Sequence, residues 1–136
     1  MHPHRGFTLL ELVVAVVIVG ILAAIAVPAY TSFIKKSNAK AASADLVALS
    51  LNFENAYQRN LQYPAESLAT TTAIKGKYSG WNPAQGDKFE FSTEATASTY
   101  SLTATGKSAT SASGCILTLT EANVRTATSA CGFTAW

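Results

Sequence analysis

The chain has 136 residues, 49% of them hydrophobic and 13% charged, with a formal net charge of +2. That length holds one domain plus a membrane segment, and so small a charge does not by itself point to a nucleic-acid partner. The eight carboxylates (Glu11, Asp45, Glu54, Glu66, Asp87, Glu90, Glu94 and Glu121) form no spaced acid pair or metal-ligand cluster, and no phosphate-cradling or dinucleotide glycine pattern occurs. An enzyme is not expected, and neither is a cofactor.

In chain order, the first feature is Gly6-Phe7-Thr8-Leu9-Leu10-Glu11, which sets one carboxylate at the mouth of an apolar run. From Leu12 to Tyr30 there is no charge at all. A run of about 20 apolar residues can cross the hydrocarbon core of a bilayer. A charge near its start is costly, about 2.5–3.5 kcal/mol on insertion scales, unless it is neutralised. Glu11 therefore asks for a partner. A first-turn carboxylate also suits the helix dipole, so the demand could be met within its own helix.

Beyond Tyr30 the sequence turns amphipathic. Ile34, Ala42, Leu46, Leu49, Phe53 and Tyr57 keep helical spacing, with Lys35, Lys36, Lys40, Asp45 and Glu54 on the more polar side. A continuous helix from Phe7 to about Arg59 would be roughly 80 Å long at the helical rise. No domain this small covers that length, so the first half must be buried in lipid or in copies of itself. Gly20 and Pro28 are its weak points, because glycine lowers propensity and proline removes a donor. Pro64 stops it, since residues before proline avoid the helical region. A connecting loop should follow over about 61–87. Its stretch Asn82 to Glu90 could face calcium, but a polar turn is the better reading.

Lys88–Ser92, Thr99–Thr105 and Cys115–Thr120 alternate or carry β-branched residues and are read as strands, with Val124–Thr128 a possible fourth. The fold class is therefore α+β: a long N-terminal helix packed on an antiparallel sheet of three or four strands. Phe89, Phe91, Tyr100, Leu102, Ile116 and Leu119 are core candidates. Alternate strand residues face opposite ways, so some of these must point outward.

The N-terminal pattern, a short basic leader (MHPHRG), then Phe7-Thr8-Leu9-Leu10-Glu11, then the apolar helix, resembles the class III leader of type IV prepilins. The resemblance implies cleavage between Gly6 and Phe7 by a prepilin peptidase, and methylation of the new Phe7 amine. It further implies that Glu11 pairs with the Phe7 amine of a neighbouring subunit during assembly. In pilins a glycine and a proline at matching places bracket a segment that can lose helical structure in the filament, which transfers to Gly20 and Pro28. Residues 1–6 become the leader, 7–30 the transmembrane and polymerisation helix, and 31–136 the soluble head. Within that head, the amphipathic helix takes about 31–60, the loop about 61–87, and the sheet with the disulfide region about 88–136.

Loss of Arg5 with the leader takes the side-chain charge from +2 to +1, and both histidines, His2 and His4, leave with it. Without histidine the commonest general base and metal ligand are missing. Cys115 and Cys131, an even count in an exported chain, suggest one disulfide. They match the bridge that pins the C-terminal region of pilins; the alternative is two separate buried thiols. The tail (TYSLTATG, a cysteine followed by LTLT, a second cysteine near Trp136) is similar to PilE-like minor pilins, although tryptophan usually lies nearer the last cysteine there.

An ordinary secretory signal peptide with Ala24-Ile25-Ala26 as its cleavage site is disfavoured by the carboxylate in its apolar region. A plain uncleaved anchor is the remaining competitor. The reading is a pilus subunit stored in the inner membrane and then polymerised into an extracellular filament. Its expected partners are other pilin subunits, the prepilin peptidase/methyltransferase and the inner-membrane assembly platform. Two alternatives stay in view: a pilus-displayed DNA-uptake or adhesin module, and a type II secretion pseudopilin. For DNA, the candidate contacts are Lys75, Lys77, Lys88, Lys107 and Arg125.

Overall fold

A computed structural model describes residues 6–136, and the first five residues of the expected 1–6 leader lie outside them. Helix α1 spans Leu9–Asn60. The chain forms two compact units, Met1–Phe33 and Ile34–Trp136.

In the first unit the helical assignment runs unbroken through Gly20 and Pro28, and the Thr31 hydroxyl donates to the Pro28 carbonyl at 2.9 Å. Every large hydrophobic residue from Leu9 to Phe33 is exposed. This is the one stretch among the described residues long and apolar enough to cross a membrane.

In the second unit, α1 buries a single stripe: Ala39, Ala42, Leu46, Leu49, Phe53 and Ala56. Steps of three and four place these on one helical face. Ile34 and Tyr57, expected on that stripe, lie at its margins and are not buried. The helix stops at Asn60 because Leu61 turns left-handed (φ 55°) and returns its N–H to the Tyr57 carbonyl at 2.7 Å. The end at Asn60 agrees with the expected end at about 59–60, with Leu61 rather than Pro64 making the stop.

The expected loop is not without structure. It holds a two-residue strand β1 (Ser67–Leu68) and a short helix α2 (Thr71–Lys77). Helix α2 escapes periodicity because it is only two turns long, and its start is set by the Thr70 hydroxyl accepting from the Ala73 N–H at 3.2 Å. Asp45 secures the rest of the loop. Its carboxylate accepts the Ala84 and Gln85 N–H groups at 3.0 and 2.9 Å, while its carbonyl accepts the Trp81 indole N–H at 3.0 Å.

Strands β2 (Phe89–Ala95), β3 (Tyr100–Gly106), β4 (Ile116–Thr120) and β5 (Arg125–Ala127) join β1 in an antiparallel sheet ordered β1-β2-β3-β4-β5. The sheet therefore has five strands, because β1 adds an edge too short to show alternation. Phe89, Phe91, Tyr100, Leu102, Leu117 and Leu119 are buried. Ile116 is 39% exposed, so it is not a core residue. It has the opposite parity to Leu117 and Leu119, and the pleat turns it outward. One apolar cluster unites the helix stripe with the sheet, and the Phe53 ring lies 5.1 Å from that of Tyr100.

Cys115 and Cys131 form a disulfide that closes the C-terminal segment. A loop of this size contributes about 3 kcal/mol in the chain-entropy account. At the end of β3, a Cβ on Gly106 would fall 1.8 Å from the Ala112 carbonyl oxygen, whereas one on Gly80 would meet nothing within 4 Å. We expect Gly106→Ala to cost at least about 1–3 kcal/mol, the usual range for overpacking, in denaturant unfolding of the full chain in detergent. Gly80→Ala should stay within about 0.5 kcal/mol of the parent.

Candidate assembly and nucleic-acid interfaces

At the N-terminus, Gly6, Phe7 and Thr8 precede the helix as exposed, non-helical backbone. Thr8 and Glu11 form a capping box. The Thr8 hydroxyl accepts the Glu11 N–H at 3.2 Å, and Glu11 Oε2 accepts the Thr8 N–H at 3.0 Å and its hydroxyl at 2.8 Å. Two helix-end donors are satisfied reciprocally. The pattern Thr-x-x-Glu was visible in the sequence and is a function of Glu11 that the resemblance did not supply. Among the described residues, Glu11 Oε1 accepts no hydrogen bond.

The five candidate cations do not form one patch. Lys75 and Lys77 lie in the last turn of α2. Lys75 is exposed, while Lys77 pairs with Glu66, which also accepts the Tyr78 hydroxyl. Lys88 and Lys107 sit on adjacent strand ends, where the Lys107 N–H donates to the Lys88 carbonyl at 2.9 Å. Their ammonium groups turn to Asn38 Oδ1 at 3.4 Å and to the Gly86 carbonyl at 2.8 Å. Arg125 stands apart, with its guanidinium 4.9 Å from the Trp136 ring centroid and its Nε donating to Asn123 at 2.9 Å.

What the sequence reading missed is a groove of about 540 Å³ between the C-terminal turns of α1 and the segment after α2. It is lined by Asn52, Asn55, Gln58, Arg59, Lys77 and Tyr78, together with Ala56 and Pro64. Arginine and amide side chains are the groups that read base edges, and lysine neutralises phosphate. Spacing along α1 (52, 55, 59) signals a shared face, but only the fold brings α2 beside it.

The carboxylates are mostly engaged. Glu54 accepts the Tyr100 and Tyr63 hydroxyls at 2.9 and 3.2 Å. Burial first, and the carboxylate next to it second, push the hydroxyls of Tyr63, Tyr78 and Tyr100 up, so they remain donors. Glu90 accepts the Thr71 N–H at 2.6 Å and faces Lys107 at 3.7 Å. The Thr71 N–H above all holds its carboxyl below the usual range against the opposing effect of burial, with Lys107 adding to the lowering. Among the described residues no group of three His, Cys, Asp or Glu could hold a metal ion.

Residues 28–120 match the family model described as "Type IV minor pilin ComP, DNA uptake sequence receptor", and residues 1–27 match the prokaryotic N-terminal methylation motif. The first match covers more than half of the chain, which therefore belongs to the type IV pilins, a family of structural rather than catalytic proteins. It is 50% identical over 48 residues to the type IV major alpha-pilin of Moraxella bovis, covering 35% of this chain and 30% of that one. It is 36% identical over 96 residues to the type IV major fimbrial protein FimA of Dichelobacter nodosus, covering 68% and 59%. With the type IV major pilin protein PilE of Neisseria gonorrhoeae it is 35% identical over 83 residues, covering 55% and 47%. The chain thus spans 30% to 59% of the length of these relatives. No solved structure matches.

Because the depressed Glu90 carboxyl favours the folded state, its contribution is present above the unfolded carboxylate pKa and is lost as pH falls through the lower folded value. We expect Glu90→Gln to lower the urea midpoint at about pH 7, and the deficit to shrink as pH falls below the ordinary carboxylate range to about pH 3. Parallel titrations at the two pH values check this.

Proposed function

We propose that this chain is a structural subunit of a type IV pilus, stored in the inner membrane and polymerised through its N-terminal helix. The observation that carries this reading is the first unit: an apolar helix exposed on all sides, opening with the capped carboxylate Glu11. An exposed apolar surface of this extent calls for lipid or copies of itself. Residues 1–6 are the leader, cleaved between Gly6 and Phe7 by the prepilin peptidase, and Phe7 is then methylated. Residues 7–30 are the polymerisation segment and 31–136 the head. Assembly moves the apolar segment from lipid into a helical bundle, with Gly20 to Pro28 as the stretch best able to give way.

Glu11 sets the axial register. One carboxylate oxygen closes its own helix, and the other is left to receive the Phe7 amine of a neighbour. In a low-dielectric core the unpaired charge is the costly state. Glu11→Ala should leave the protein folded and in the membrane but poorly represented in sheared surface filaments. Normal incorporation would reduce Glu11 to a helix cap.

A second reading is supported by the description of the matching family and by the amide-rich groove: a minor pilin that takes up DNA. Arg59 and Lys77 in the groove, and Lys75 in the same last turn of α2 as Lys77, supply the positive charge that binds phosphate, and Asn52, Asn55 and Gln58 line the groove. Arg59→Gln with Lys75→Gln should weaken duplex binding and flatten its salt dependence by about one unit of slope for each phosphate no longer neutralised. Both changes spare the Lys77–Glu66 anchor. Affinity measured across a salt series decides, and an unchanged slope would remove the groove from the reading.

A further inference from the structure

We propose that a second groove, between Lys36 and Lys40 of α1 and the tail from Phe133 to Trp136, docks the phosphate headgroup of an anionic phospholipid while the chain is in the membrane. This rests on the membrane-storage reading above. The groove holds about 280 Å³ and is lined by the two lysines, Phe133, Ala135 and Trp136. It lies wholly within the second unit.

The tail is built into place. Gly132 is left-handed (φ +85°), and a Cβ there would lie 3.3 Å from that of Lys36, so glycine serves both the turn and the close approach to α1. The disulfide fixes the preceding residue, Cys131. The Trp136 indole N–H donates to the Thr126 carbonyl at 3.0 Å, and the Arg125 guanidinium lies 4.9 Å from the ring centroid. The aromatic wall is thus anchored rather than loose.

Charge complementarity identifies the occupant. Lys36 and Lys40 are exposed and share a helical face at i, i+4. Neither ammonium is paired among the described residues; the two ion pairs use Lys77 and Lys107. No acidic residue occurs between Glu11 and Asp45, and Asp45 is occupied by the Ala84 and Gln85 amides. Position favours lipid over nucleic acid. The uncharged run that starts at Leu12 ends at Ile34, and Lys36 is the second charge after it in the sequence. Cations that directly follow an apolar membrane run in sequence, and tryptophan, are the residues that headgroup regions favour.

The full chain is placed in nanodiscs of equal phosphatidylcholine and phosphatidylglycerol, and the lipids retained on the released protein are counted by native mass spectrometry. The parent should retain phosphatidylglycerol in excess. Lys36→Gln with Lys40→Gln should reduce that preference by about five-fold per lysine, roughly 25-fold together. Trp136→Ala should reduce it while circular dichroism and disc insertion stay unchanged. Insertion without any phosphatidylglycerol preference, or with one that survives the double variant, overturns the docking proposal alone. Failure to enter discs overturns the storage reading with it. Displacement of phosphatidylglycerol by duplex DNA, with DNA binding abolished in the double variant, assigns the groove to nucleic acid and overturns the lipid assignment.

Discussion

An apolar helix surface that the chain's own residues do not cover is the constraint on which everything else turns. Through Phe33 every large hydrophobic side chain is exposed, and from Asn38 onward only one stripe is buried. Water cannot be the natural surrounding of the first stretch. The carboxylate at its mouth is tolerable because Thr8 binds one oxygen in a capping box, which starts the helix cleanly and leaves the other oxygen free. Helix initiation and the proposed subunit pairing would then draw on the same residue without competing for the same atom.

The head solves a different problem with little material. Alanines at 39, 42 and 56 bring the helix close to its neighbours, while Leu46, Leu49 and Phe53 supply most of the stripe's apolar volume. Each large side chain of this kind contributes about 1.5–3 kcal/mol on burial. The acidic residues hold the connections: Asp45 ties down the loop at Ala84 and Gln85, Glu90 the start of α2, and Glu66 the end of it through Lys77 and Tyr78. Lys36, Lys40, Lys75 and Arg59 form no ion pair among the described residues.

Much of the fold was legible beforehand, for identifiable reasons. The long helix announced itself by length and period, and the strands by alternation over five to seven residues. The helix end was placed at about residues 59–60 and falls at Asn60, although left-handed Leu61 rather than Pro64 makes the stop. Helix α2 and strand β1 were missed because two turns and two residues carry too little pattern. Ile116 was misplaced because neighbouring apolar residues in a strand do not reveal which parity faces in. The DNA candidates were cations chosen from sequence alone, and folding scattered them into three settings while bringing unselected Arg59 and its amide neighbours together.

The sequence by itself determined the chemistry of the N-terminus, the division into an apolar and an amphipathic stretch, and the α+β class. These depend on local composition and on periods of 3.6 and 2, which a linear chain displays. Only the tertiary structure decided which cations are free, which are taken, and which stand beside one another. Lys36 and Trp136 are 100 positions apart, and the groove they share depends on the close approach of Gly132 to α1. No local signal carries a contact that exists only once a disulfide, a left-handed glycine and a helix face have been brought together.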